Sequence, residues 1–226
     1  DFIVTTGDLV DGGTNAEYQA VRALLGLRDT SDAPGPQRAT IDGLQAMPMY
    51  FLPGNHDPRA SFLRNMFPAF VVADTRAPAM NVSFAHKGVR FVCLDWGAAN
   101  KAVAAPAMLD FLARELQTDA PTIILMHHQV TPLGMARIDS FIADDVDRFT
   151  QLIAGRNILA IFSGHTHATY ETQLAGATVY GLRSTMFSFA PDPESDALLY
   201  VLRPPHYRVV TVSERKVSTE IVEVTL

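Results

Sequence analysis

Four short polar clusters, each placed directly after an apolar run, constrain this chain more than any other feature. They are Gly7-Asp8 after residues 2–5, Gly54-Asn55-His56-Asp57 after 48–52, His127-His128 after 123–126, and Gly164-His165-Thr166-His167 after 158–162. Short apolar runs bounded by glycine and polar residues read as buried strands. In an open α/β sheet the loops after the strand ends converge on one edge, so clusters far apart in sequence can meet there. Together they offer a carboxylate, an amide and several imidazoles. That mixture of oxygen and nitrogen donors suits Mn²⁺, Fe, Zn²⁺ or Co²⁺ rather than the all-oxygen preference of Ca²⁺. A lone Gly-Asp or His-His pair is common and says little. Two imidazoles one residue apart project to the same side of an extended chain, which makes the third-to-last and last residues of Gly-His-Thr-His more informative. Five of the seven histidines fall in these clusters; His86 and His206 do not, and read as surface or structural.

Between the clusters the pattern alternates. A helix is predicted over 16–25, opened by a Thr14/Glu17 capping box and stopped by Gly26. Residues 28–40 read as an exposed Pro- and Gly-rich loop leading to a short helix through Leu44. Further helices are predicted over 59–67, over 106–116 with Pro106 in the first turn, and over 144–154 before Gly155. Residues 81–96 read as a hairpin turning near His86-Lys87-Gly88. After His167, short alternating segments suggest an antiparallel sheet. The expected architecture is one α/β domain over 1–226, with two sheets packed together and helices outside.

Composition narrows the partners. The net charge of −6 and the lack of a long basic run argue against nucleic-acid binding. No apolar run reaches 18 residues, so no membrane span is expected. The single cysteine, Cys93, excludes a disulfide, reads as a core residue, and fits a reducing, cytoplasmic compartment.

The order Gly-Asp, Gly-Asn-His-Asp, His-His, Gly-His-Thr-His resembles the calcineurin-like metallophosphoesterases along nearly the whole chain. The stretches GDLVDGGTNAEYQ, FLPGNHDPRASF and HHQVTPLGMARID are similar to the branch of bacterial glycerophosphodiesterases and class III cyclic-nucleotide phosphodiesterases. The resemblance implies a four-layer α/β/β/α sandwich of two mixed sheets flanked by helices. It also implies two metal ions (Mn, Fe, Zn or Co), a bridging hydroxide as nucleophile and a small phosphodiester as substrate. One metal position carries over as Asp8, Asn55, His127 and His165. The other would use Asp8, His167 and an Asp-x-His motif that does not precede Asp8 here, so the family's first strand and helix are expected to be missing and only one ligand set is complete.

Further roles follow from the resemblance. Asn55 would also present its NH₂ to a phosphate oxygen, His56 would protonate or orient the leaving oxygen, and His128 could touch substrate or serve structure. Asp57 could orient His56 or simply cap a turn. Arg137 could meet phosphate or be solvated. A homo-oligomer is expected, through the strand edge left unpaired. The alternative to a phosphodiesterase is a catalytically impaired or non-catalytic metal- or phosphate-binding protein.

Overall fold

The computed structural model describes residues 1–27, 37–39, 47–67, 80–192 and 197–225. In the first sheet β1 (Ile3–Thr6) runs parallel to β3 (Met47–Leu52), and β2 (Gln37–Ala39) pairs antiparallel on the other side of β3. Residues 37–39 are thus strand where a loop was expected, and the short helix through Leu44 falls outside the described residues.

The second sheet has six strands. They are β4 (Val82–His86), β5 (Val89–Leu94), β6 (Thr122–Met126), β7 (Ile158–Ser163), β9 (Ala177–Gly181) and β8 (Tyr170–Leu174), in that spatial order. β5, β6, β7 and β9 are mutually parallel, and β4 and β8 are antiparallel edges. The rest of the chain forms two antiparallel pairs, β10 (Ser188–Pro191) with β11 (Leu198–Val201) and β12 (His206–Ser213) with β13 (Lys216–Glu223). The expected single antiparallel sheet after His167 is therefore divided. Only β8 and β9 join the large sheet, and β9 joins it parallel to β7.

Side-chain alternation assigns the layers. Val89, Phe91 and Cys93 of β5, Ile123 and Leu125 of β6, and Ala160 and Phe162 of β7 share one core cluster with Leu52 of β3 and with Val4, Val212 and Val217. That cluster is the contact between sheets. The intervening residues Val92, Leu94, Ile124, Met126 and Ile161 face outward onto α3 (Pro106–Glu115) and α5 (Val146–Ile153), against Met108, Leu112, Phe149 and Ile153. On the opposite side, Met49 and Phe51 of β3 pack with Tyr18 of α1 (Asn15–Leu24) and Phe62 and Met66 of α2 (Arg59–Met66). The order helix, sheet, sheet, helix is the expected four-layer sandwich. Cys93 is in the inter-sheet core.

Local chemistry explains the element starts. α1 carries the expected capping box: the Glu17 backbone N–H donates to Thr14 Oγ1 at 3.3 Å, and the Thr14 backbone N–H donates to Glu17 at 2.8 Å. A Thr cap of this kind contributes about 1 kcal/mol. Pro106 sits at the start of α3, where its missing N–H costs nothing. The four-residue helix α4 (Ala136–Asp139) has no periodic signal to announce it. Among the described residues, no helix is long and apolar enough to cross a membrane.

Candidate metal centre

β1, β3, β6 and β7 all end at the same edge, and their following loops meet. Glycine makes the approach possible. At Gly54 a Cβ would lie 2.0 Å from Asp8 Oδ1. At Gly7, whose φ is +95°, a Cβ would lie 2.5 Å from His127 Nδ1 and 2.7 Å from the Gly54 nitrogen. Either substitution would push the carboxylate and the imidazole apart. Asp8, His165 and His167 themselves adopt left-handed backbone, with φ of 53°, 63° and 50°. Non-glycine residues hold that conformation only where the surroundings enforce it, and such strain concentrates at functional sites.

Three of the four central side chains, His127, Asp8 and Asn55, are fixed by a second contact. His127 is buried, and its Nδ1–H donates to the Thr6 carbonyl at 2.7 Å. This bond leaves Nε2 as the lone-pair nitrogen facing the site. Nε2 lies 3.1 Å from Asp8 Oδ2, 2.9 Å from Asn55 Oδ1 and 3.2 Å from His165 Nδ1. His165 Nδ1 is 2.8 Å from Asn55 Oδ1. Asp8 Oδ1 accepts the His56 backbone N–H at 2.9 Å.

The electrostatics favour acceptors. Burial alone would raise the Asp8 carboxyl, but its contacts with His127 and with the His56 backbone N–H outweigh it and hold the carboxyl ionised, well below the usual carboxylate range. Burial, reinforced by His127 and His128, pushes His165 down to about 2. Burial also lowers His167. One carboxylate, one amide oxygen and two imidazole nitrogens thus converge on one point.

This set fits a cation on geometry as well as charge. Ligand atoms of Asp8, His127 and His165 all lie within 4.8 Å of one another. Two donors bound at right angles to one ion at about 2.1 Å would sit about 3 Å apart, and the four spacings here run from 2.8 to 3.2 Å. His167 stands apart from this group. Its Nδ1 bonds the Phe187 carbonyl at 3.1 Å, which leaves Nε2 as its ligand atom, and its ring stacks on Phe189 at 4.7 Å.

The flanking residues divide. The His56 side chain is exposed and its Nδ1 bonds the Asp11 carbonyl at 2.8 Å. Asp57 does not orient it. Fully buried, Asp57 braces the turn instead, accepting from Gly54 N (2.9 Å), Leu9 N (3.2 Å) and the Tyr18 hydroxyl (2.8 Å). His128, for which substrate contact and a structural role were both open, has a side chain that is 0% exposed, edge-on to His127, and bonded through Nε2 to the Ala99 carbonyl at 2.8 Å. Arg137 is exposed, with its guanidinium 5.2 Å from the Phe141 ring centroid, and that ring lies 5.5 Å from the His165 ring.

Sequence reasoning missed two parts of the site. Asn100 accepts from Asn55 Nδ2 at 3.0 Å. Arg59 forms a buried ion pair with Asp95, and its other donors reach the carbonyls of Gly54, Asp57 and Gly97. Asp95 follows β5 directly, so it had the same strand-end signature as Asp8. Asn100 had none.

A four-layer sandwich with carboxylate, amide and imidazoles gathered at its strand ends defines the metal-dependent phosphoesterase class. Residues 1–169 match the family model of the calcineurin-like phosphoesterases, and the chain belongs to that family. It is 28% identical over 210 residues to the glycerophosphodiester phosphodiesterase GpdQ of Enterobacter lignolyticus, covering 91% of this chain and 69% of the relative. It is 27% identical over 192 residues to a cAMP/cGMP dual specificity phosphodiesterase of Mycobacterium tuberculosis, covering 83% of this chain and 55% of the relative. A dimetal phosphatase from Danio rerio shares the fold, with a TM-score of 0.55 at 17% identity over 96% of this chain and 82% of its own.

Proposed function

We propose that this chain is a metal-dependent phosphodiesterase acting on a small phosphodiester, either a glycerophosphodiester or a cyclic nucleotide. The observation that carries the reading is the convergence of Asp8 Oδ2, Asn55 Oδ1, His127 Nε2 and His165 Nδ1 within hydrogen-bonding distance of their neighbours. The names of the relatives supply the substrate classes. Asp8, Asn55, His127 and His165 would hold one cation, and Asp8 with His167 would contribute to a second. Bound cations would lower the pKa of a water and neutralise charge building on the phosphoryl oxygens.

The chain's own groups do the rest. Asp8 supplies the negative charge that draws the cation in. The Thr6 carbonyl keeps the His127 proton on Nδ1, so Nε2 stays a ligand. The Asn55 amide has two N–H bonds, and the one not directed at Asn100 can meet a phosphoryl oxygen. His56 is exposed beside this edge, with Nδ1 on the Asp11 carbonyl, which leaves Nε2 to exchange a proton with the leaving oxygen.

Chelator treatment should abolish hydrolysis of bis(p-nitrophenyl) phosphate, with Mn²⁺ or Co²⁺ restoring it. Full turnover in excess chelator would remove the metal-dependent reading. Comparing a glycerophosphodiester with 3′,5′-cyclic AMP under the restored conditions then separates the two substrate classes.

A further inference from the structure

The Asn55 amide faces a choice that the metal site cannot leave open. With Oδ1 inward it is a ligand, and with Nδ2 inward it donates to the two imidazoles and closes the site to a cation. Its other end decides. Nδ2 donates to Asn100 Oδ1 at 3.0 Å. Asn100 belongs to the loop between β5 and α3, and that loop is tethered next door, where His128 Nε2–H donates to the Ala99 carbonyl at 2.8 Å. His128 is 0% exposed and its ring lies 4.7 Å from the His165 ring. The tether therefore starts inside the rigid end of β6, beside the proposed ligands.

We propose that Asn100 is a positioning residue for the cation site, its side-chain carbonyl locking the Asn55 amide with oxygen inward. The reading rests on Asn55 being a ligand. His128 is the anchor that holds Asn100 in reach. The chain of contacts runs from the buried His128 ring to the Ala99 carbonyl, from the adjoining Asn100 side chain to Asn55 Nδ2, and through the amide to Oδ1. It also gives the second histidine of the His-His pair a task that needs no access to substrate.

Asn100 is itself an amide and could in principle turn its own NH₂ toward Asn55, so the carboxylate variant discriminates. Asn100→Asp can only accept, and must keep Asn55 oxygen-inward. Asn100→Ala releases the choice. The test is calorimetric titration of the metal-stripped chain with Mn²⁺. Asn100→Ala should raise the Mn²⁺ Kd about tenfold, the lower end of what outer contacts to metal ligands contribute. Asn100→Asp should keep or tighten it. Because Asn100 is exposed, neither variant should shift the melting temperature of the stripped chain.

Repeating both substitutions on an Asn55→Ala background isolates the coupling. There Asn100→Ala should have no further effect, and any gain from Asn100→Asp measures its charge alone. A wild-type Kd for Asn100→Ala, with Asn55→Ala weakened, would overturn the positioning role and leave the ligand assignment standing. An unchanged Kd for Asn55→Ala would overturn both, and would locate the error in the ligand set.

Discussion

Asp8→Ala is expected to lower kcat/KM for a chromogenic phosphodiester by on the order of a thousandfold or more. Stabilisation of transition-state charge by a bound cation is worth several kcal/mol, and each 1.36 kcal/mol is about tenfold in rate. Among the described residues Asp8 is the only carboxylate in the converging group, so its removal takes away the anionic donor that two imidazoles and an amide cannot replace. The same variant should lose tight Mn²⁺ binding. The fold should survive, because Asp8 lies after β1 and outside the three core clusters. Retained turnover with retained metal would show that the carboxylate is a bystander. Retained metal with lost turnover would instead assign Asp8 to chemistry rather than to cation binding.

Arg59→Ala should be the most damaging single change to stability among residues outside the hydrophobic core. Arg59 is 8% exposed and its partner Asp95 is 5% exposed. Removing one member of a buried pair strands the other charge, which typically costs about 3–5 kcal/mol. Here the loss is compounded. Arg59 also satisfies the Gly54, Asp57 and Gly97 carbonyls, and Asp95 also accepts the Met80 and Gly97 backbone N–H groups. Urea denaturation at neutral pH should show the midpoint fall. A double change, Arg59→Met with Asp95→Leu, should be less harmful than Arg59→Ala alone if the stranded charge dominates. Equal losses would mean that the backbone carbonyls carry most of the effect.

The sequence made the site's first tier readable because each proposed ligand follows an apolar strand run, and topology then forces those ends together. That rule marked the clusters holding Asp8, Asn55, His127 and His165, and the family resemblance singled out those four within them. What the rule left open or missed has physical causes. His128 shares the strand-end position of His127, but adjacent residues on an extended chain point to opposite sides, so one faces the site and the other the interior. Arg59 looks like a solvated residue at a helix start, and nothing local signals the carboxylate 36 positions onward that buries it. Asn100 sits among small residues in a loop, where only the fold brings it to Asn55.

The same limit governs the last third of the chain. Its strands were legible as alternating segments, yet their partners were not. Whether β9 continues an antiparallel series or inserts beside β7 depends on where Val179 and Tyr180 find apolar neighbours. Val179 packs toward the helices and Tyr180 into the contact between sheets. β10 went unread because Ser188–Pro191 is four residues long and ends in proline.

The Thr6–His127 hydrogen bond joins the end of β1, in the three-stranded sheet, to the end of β6, in the six-stranded one. Asp8 belongs to the first side of that junction and His165 to the second. A cation gripped by both would act as a rivet across the two halves of the sandwich, and folding and loading would become one equilibrium. At a free ion concentration a hundredfold above Kd, mass action would add about 2.7 kcal/mol of stability. Melting temperature would then report ion supply, and a substitution within the inter-sheet core such as Phe91→Ala would loosen the grip on the ion by shifting the two halves. An unchanged melting temperature on saturation with Mn²⁺ would show that the ion rests on one half only.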